Sequence, residues 1–122
     1  MAPPDQRFPR TARLRRRGEF LRVQRTGKKV HTTHFVLVLW FRGDRDPARL
    51  GLVTSRKAAP SVGRAWIRRR VREVFRLHRG AFPTGADVVV IARAGAADLA
   101  FGQVRDEILS ALSRRRPPPK AP

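Results

Sequence analysis

The segment HTTHFVLVLWF, residues 31–41, constrains the fold more than any other stretch of the chain. It is rich in β-branched and aromatic residues, which favour a strand. Successive side chains of a strand point to opposite faces. His34, Val36, Val38 and Trp40 therefore share one face, and Phe35, Leu37, Leu39 and Phe41 share the other. Both faces are largely apolar, so the strand has to be covered on both sides. A second apolar run, ADVVVIA at 86–92, reads as another short buried strand.

Helical periods surround these strands. Residues 17–25, with Phe20, Leu21 and Val23, fit a short helix that Gly27 stops. Residues 28–41 hold either one strand or two. The sequence RGDRDP at 42–47 has turn chemistry, and 48–55 reads as a hairpin partner of the preceding strand. Residues 61–78 read as a helix. With about 100° per residue and Arg64 as zero, Ile67, Val71, Val74, Phe75 and His78 fall between about 280° and 20°, a stripe for burial. On the same projection Arg64, Arg68, Arg69, Arg72, Arg76 and Arg79 occupy about 0° to 140°. Trp66, Arg70, Glu73 and Leu77 take the remaining sector. A last helix, capped by Asp98, places Phe101, Val104, Ile108 and Leu112 at helical spacing and stops near Arg115, ahead of three prolines. Asp106 and Glu107 make it the least basic element.

The order of elements, with a strand–helix–strand unit over 48–92, predicts an α+β chain. It is an α/β sandwich with a mixed sheet of about four strands and three helices. Residues 13–115 form the single domain, flanked by a flexible basic tail at 1–12 and a disordered proline-rich tail at 116–122.

Charge narrows the partner. Of 122 residues, 28 are Lys or Arg and 9 are Asp or Glu, a formal net charge of +19. Such an excess repels itself unless a polyanion screens it, so a nucleic acid is the leading partner and an anionic membrane surface the second. With no Cys, disulfides, thiolate metal sites and cysteine nucleophiles are excluded. No apolar run approaches the roughly 20 residues of a membrane helix, and the first residues lack the apolar core of a secretory signal. A cytoplasmic protein without a membrane role is the expectation, and no feature signals a protein partner.

The residues offer three cationic groups. The arginine face of the 61–78 helix has a single acid, Glu73, near it, with Arg69–Glu73 the pair at i,i+4 spacing. Guanidinium forks suit phosphates and exposed bases. Arg56 and Lys57 sit in the loop that enters this helix, where free N–H groups favour anions. A third cluster runs from Arg10 and Arg13 through Arg15, Arg16, Arg17, Arg22 and Arg25 to Lys28 and Lys29, with Phe20 among them. Cations around an aromatic suit a single strand, by charge neutralisation and base stacking; Phe20 also suits a core anchor. His31, His34 and His78 are scattered and make no metal set. His34 as a base and Ser55 as a nucleophile each lack an evident partner, so no catalytic constellation and no cofactor site is identified.

Over residues 13–113 the chain resembles the protein component of bacterial ribonuclease P. The resemblance rests on Arg13-Leu14, Glu19-Phe20, Gly27, Phe35-Val36-Leu37, LGLVTSRK at 50–57, the arginine pattern from Arg64 to Arg76, and ADVVVIAR at 86–93. The family's RNR triplet reads Arg64-Ala65-Trp66 here, and Arg70 stands where the family has an apolar residue. The resemblance implies a sandwich like the second domain of ribosomal protein S5, with a left-handed strand–helix–strand crossover. It implies no catalytic residue on the protein. The chemistry belongs to an RNA subunit with magnesium, which removes the 5′ leader of precursor tRNA. It further implies that Arg64, Arg68, Arg69, Arg72 and Arg76 bind the RNA subunit and that Phe20, supported by Val38 or Trp40, holds the leader; Arg13 is placed with the leader group, and Arg56 and Lys57, by their position at the helix entrance, are read as a phosphate loop. Other readings stay open: a structural or ribosome-associated RNA-binding protein, a divergent copy of the subunit with weakened RNA contacts, a protein-only nuclease and a DNA-binding protein.

Overall fold

The computed structural model describes residues 12–114. The expected tails lie outside these residues except for Ala12, which is buried in the main core. Three helices, α1 (Arg17–Thr26), α2 (Ser61–Leu77) and α3 (Phe101–Arg114), surround four strands, β1 (Lys28–His31), β2 (Phe35–Phe41), β3 (Arg49–Val53) and β4 (Ala86–Ala92). Residues 28–41 therefore hold two strands, which form a hairpin closed by the Thr32 N–H on the Phe35 carbonyl.

The sheet runs β1-β2-β4-β3. The expected hairpin between β2 and β3 is absent. β4 lies between them, antiparallel to β2 and parallel to β3. Composition explains the arrangement: β4 is the strand most completely buried on both faces, so it takes a central place. The edge strand β1 instead carries exposed Lys28 and Lys29, which discourage pairing with another chain.

One face of the sheet presents Phe35, Leu37, Leu39, Leu50, Val88 and Val90 to α2 and α3. The predicted stripe of α2 is buried there through Ile67, Val71, Val74 and Phe75, each worth roughly 1.5–3 kcal/mol of burial. His78 does not join them. It caps the helix, half-buried, with its N–H on the Val74 carbonyl. Nor does Asp98 cap α3. It sits in a short 3-10 turn, and the helix starts three residues later, where the Gln103 side chain accepts the Ala100 N–H at 2.9 Å.

The other face is ordered in cross-strand rows. Trp40, Asp87 and Arg49 form one, Val38, Val89 and Gly51 the next, and Val36, Ile91 and Val53 the third. Helix α1 packs over the middle row, with Val23 buried against Val38 and Val89. Two glycines allow this approach. A Cβ on Gly27 would meet Val38 Cγ1 at 2.6 Å, and one on Gly51 would meet the Phe20 ring at 2.7 Å. Gly27 thus ends α1, as expected, by closeness to β2; its backbone is extended rather than left-handed.

Candidate nucleic-acid interface

Two surfaces carry the candidate residues, and both border β3. On α2, Arg68 donates to Thr54 Oγ1 at 3.1 Å, so its guanidinium leans toward the residue that follows β3. Arg64 donates to the Ala59 carbonyl at 3.3 Å. Arg72 is held below its ordinary pKa, first by partial burial and then by the positive charges of Arg13 and Arg68. Among the described residues neither Arg68 nor Arg72 has a carboxylate partner. Like charges gathered in this way raise one another's energy unless an anion joins them. Arg13, assigned to the leader group in sequence, thus adds its positive charge to that of the α2 arginines. It lies next to Leu50 of β3, an approach between segments far apart in the chain that no local pattern reveals.

The remaining α2 arginines differ in their commitments. Arg76, not Arg69, pairs with Glu73, through Nε at 3.0 Å and a second contact from Nη2. Both i,i+3 and i,i+4 spacings bring side chains together, so sequence could not choose between them. Arg69 lies with Arg70 against the Trp66 ring, and Arg79 lies over Phe75. Arg56 and Lys57 are exposed in the turn before α2, where the Ser55 carbonyl accepts the Ala58 N–H.

The second surface is the sheet face beside α1. Phe20 is half-buried, with its ring against Gly51 and Leu14. It is both an anchor of the helix and a partly open aromatic surface. Trp40 is half-buried with the Arg22 guanidinium 5.2 Å from its ring centroid. Val38 is fully buried under α1 and has no surface to offer a ligand. Sequence reasoning missed Val36, Val53 and Ile91, the half-exposed row beyond the helix. Alternation was the available signal, since Val36 shares a face with Val38 and Trp40.

A buried ion network lies in the Trp40 row of this surface and ties it to α1. Asp87, the one buried charged residue among those described, accepts from Arg49 at two points and from Arg42 at 2.5 Å. Arg49 also reaches Glu19 on α1 at 2.9 Å. Hydrogen bonds to Asp44 and then Asp87 push the Arg42 pKa up, and the bonds to Asp87 do the same for Arg49.

His34 has an acid partner that the sequence did not reveal. Its Nδ1 lies 2.6 Å from Glu107 Oε2, and Glu107 Oε1 accepts from Thr32 Oγ1 at 2.7 Å and from the His34 N–H at 2.9 Å. The hydroxyl bonds to the acid rather than to the imidazole, so the trio ties the β1–β2 turn to α3 and is not a nucleophile–base relay. Among the described residues no group of three or more His, Asp or Glu side chains is arranged to hold a metal ion, and no helix is long and apolar enough to cross a membrane.

The family model described as ribonuclease P matches residues 8–116. The chain is 40% identical over 110 residues to the ribonuclease P protein component of Desulfovibrio desulfuricans, covering 88% of this chain and 85% of that one. It is 38% identical over 111 residues to the same component of Thermotoga maritima, covering 88% and 94%. The solved ribonuclease P protein of Thermotoga maritima superposes with a TM-score of 0.77 at 36% identity, covering 86% of this chain and 98% of that one. That of Staphylococcus aureus gives 0.75 at 29% identity, covering 84% and 93%. With its four-stranded mixed sheet, three helices and match over nearly the whole length, the chain belongs to the ribonuclease P protein family, the protein subunit of that ribonuclease.

Proposed function

We propose that this subunit contributes binding rather than bond cleavage to a cytoplasmic ribonuclease P whose RNA subunit carries out the reaction. The arginine face of α2, with Arg56 and Lys57 at its entrance, grips the RNA subunit. The sheet face beside α1 holds the single-stranded 5′ leader of precursor tRNA, through Phe20, Trp40 and the row of Val36, Val53 and Ile91. The observation that carries this reading is the gathering of positive charge along β3, where Arg13 lies beside Leu50, Arg68 reaches Thr54 and Arg72 feels the charge of both, with no carboxylate partner for Arg68 or Arg72 among the described residues. A polyanion crossing that point would screen the repulsion and bring two RNAs side by side. Magnesium, on this reading, is held by the RNA.

Binding measured separately for the two RNAs tests the division. Phe20→Leu should weaken an isolated leader strand and leave the RNA subunit unaffected, while Arg72→Ala should weaken the RNA subunit. Equal loss for both RNAs in both variants would mean one undivided RNA surface.

A further inference from the structure

The three most exposed large apolar side chains among the described residues all stand on α2: Val62 (70% exposed), Trp66 (46%) and Leu77 (40%). On the helical projection they lie within about 60° of one another, on the side turned away from the core. Val62 and Trp66 are one turn apart, so they are neighbours on the helix surface. Leu77 is three turns further on and is not part of the same patch.

Trp66 is held in place. The Arg70 guanidinium lies 4.5 Å from its ring centroid and that of Arg69 lies 5.3 Å away. These are cation–π distances, in which the guanidinium lies against the electron-rich face of the indole. Among the described residues Arg70 Nη1 is buried without a hydrogen-bond partner and Arg70 has no ion pair, so its contact with the ring is the interaction that the structure gives its guanidinium. Glu73, the acid on this side of the helix, is engaged by Arg76. The result is a half-exposed indole beside two cations that no carboxylate among the described residues neutralises, next to the basic face of the same helix.

We propose that Trp66 is a stacking platform for an unpaired base of the RNA that lies on α2, with Arg69 moving from the ring to the adjoining phosphate. An indole offers a flat face of the size of a nucleobase, and every base can stack on it. Stacked guanidinium and indole fit an anionic strand with splayed bases better than they fit a second copy of a chain with charge +19, which the two arginines would repel. The stacking supplies affinity that does not depend on salt, alongside phosphate contacts that do. The inference rests on α2 being the RNA surface and specifies a class of nucleotide that the arginines alone do not select.

The test uses the full chain and the ribonuclease P RNA subunit of the same organism. Wild-type protein reports on Trp40 and Trp66, and Trp66→Phe reports on Trp40 alone, so the difference between their fluorescence titrations isolates Trp66. That difference should show quenching at saturating RNA, and little quenching with a fully paired hairpin RNA. Trp66→Leu should weaken binding of the RNA subunit on the order of tenfold, with an unchanged salt slope, and Trp66→Phe should retain most of the affinity. Unchanged emission at saturation, equal quenching by the paired hairpin, or wild-type affinity in Trp66→Leu each overturns the stacking role. If Arg68→Ala then still lowers the salt slope, the RNA face of α2 stands without it. If Arg68→Ala has no effect either, the RNA face itself fails.

Discussion

Arg49 lies directly opposite Asp87 in the parallel register of β3 and β4 and grips its carboxylate with two hydrogen bonds of 2.8 Å. Asp87 is 1% exposed, and its other cation is Arg42. Through Arg49 the network continues to Glu19, so the position of α1 over the sheet is tied to one buried acid. Replacing Asp87 by Ala leaves two guanidiniums facing a buried gap. The expected loss of stability is about 3–5 kcal/mol, the range for removing one partner of a buried ion pair. Urea unfolding measures it, and a midpoint within error of wild type would show that the network is dispensable.

Glu107 and Glu19 are the more buried of the four carboxyl groups that the fold holds below their ordinary values, the others being Asp44 and Glu73. Burial pushes Glu107 up, but the bonds from Thr32 and His34 outweigh it and hold the group below its ordinary value of 4.5. Burial likewise opposes, and the N–H groups of Arg16 and Arg15 together with Arg49 outweigh it, at Glu19. A carboxyl lowered in the folded state stabilises it above the unfolded pKa, and that contribution is lost as pH falls through the folded pKa. The urea midpoint should therefore hold steady above pH values of about 5 and fall in more acidic solution, less steeply in Glu107→Gln. A midpoint that rises on acidification contradicts this.

Two glycines at the ends of α1 should respond in opposite directions to alanine. At Gly27 the new Cβ would lie 2.5 Å from the Val23 carbonyl oxygen and 2.6 Å from Val38. Overpacking of this kind costs about 1–3 kcal/mol. At Gly18 nothing lies within 4 Å, so Gly18→Ala should stabilise by roughly 0.4–1 kcal/mol through the unfolded chain. Thermal unfolding of the two variants checks both signs.

The arginines of α2 should divide by their present partners. Arg68→Ala and Arg72→Ala should each flatten the dependence of log affinity on log salt by roughly 0.7–0.9 for every phosphate left without its cation. Arg76 is already held by Glu73, so Glu73→Gln should release it, raising affinity and steepening the slope. Filter binding of the RNA subunit over a series of salt concentrations reads all three.

Much of the fold is legible in the residues. The stripe of Ile67, Val71, Val74 and Phe75 follows from helical period, and the bounds of β4 follow from an apolar run between a glycine and a cation. Alternation assigns Phe35 and Val36 to opposite faces but says nothing about neighbours, so the insertion of β4 between β2 and β3 is not readable. Asp87 does leave a trace. A lone acid inside ADVVVIA is rarely buried without a partner, and the arginines at 42 and 49 are the cations that reach it. The charge that Arg13 brings to bear on Arg72 comes from the path of the chain before α1 along β3, which only the folded molecule displays.

The most direct measurement is the rate of leader removal from precursor tRNA by the RNA subunit of the same organism at low magnesium, with and without this protein. Added protein should accelerate cleavage and bind precursor more tightly than mature tRNA. An unchanged rate, or equal affinity for the two tRNAs, would contradict a role in holding the leader and leave a structural RNA-binding protein in its place.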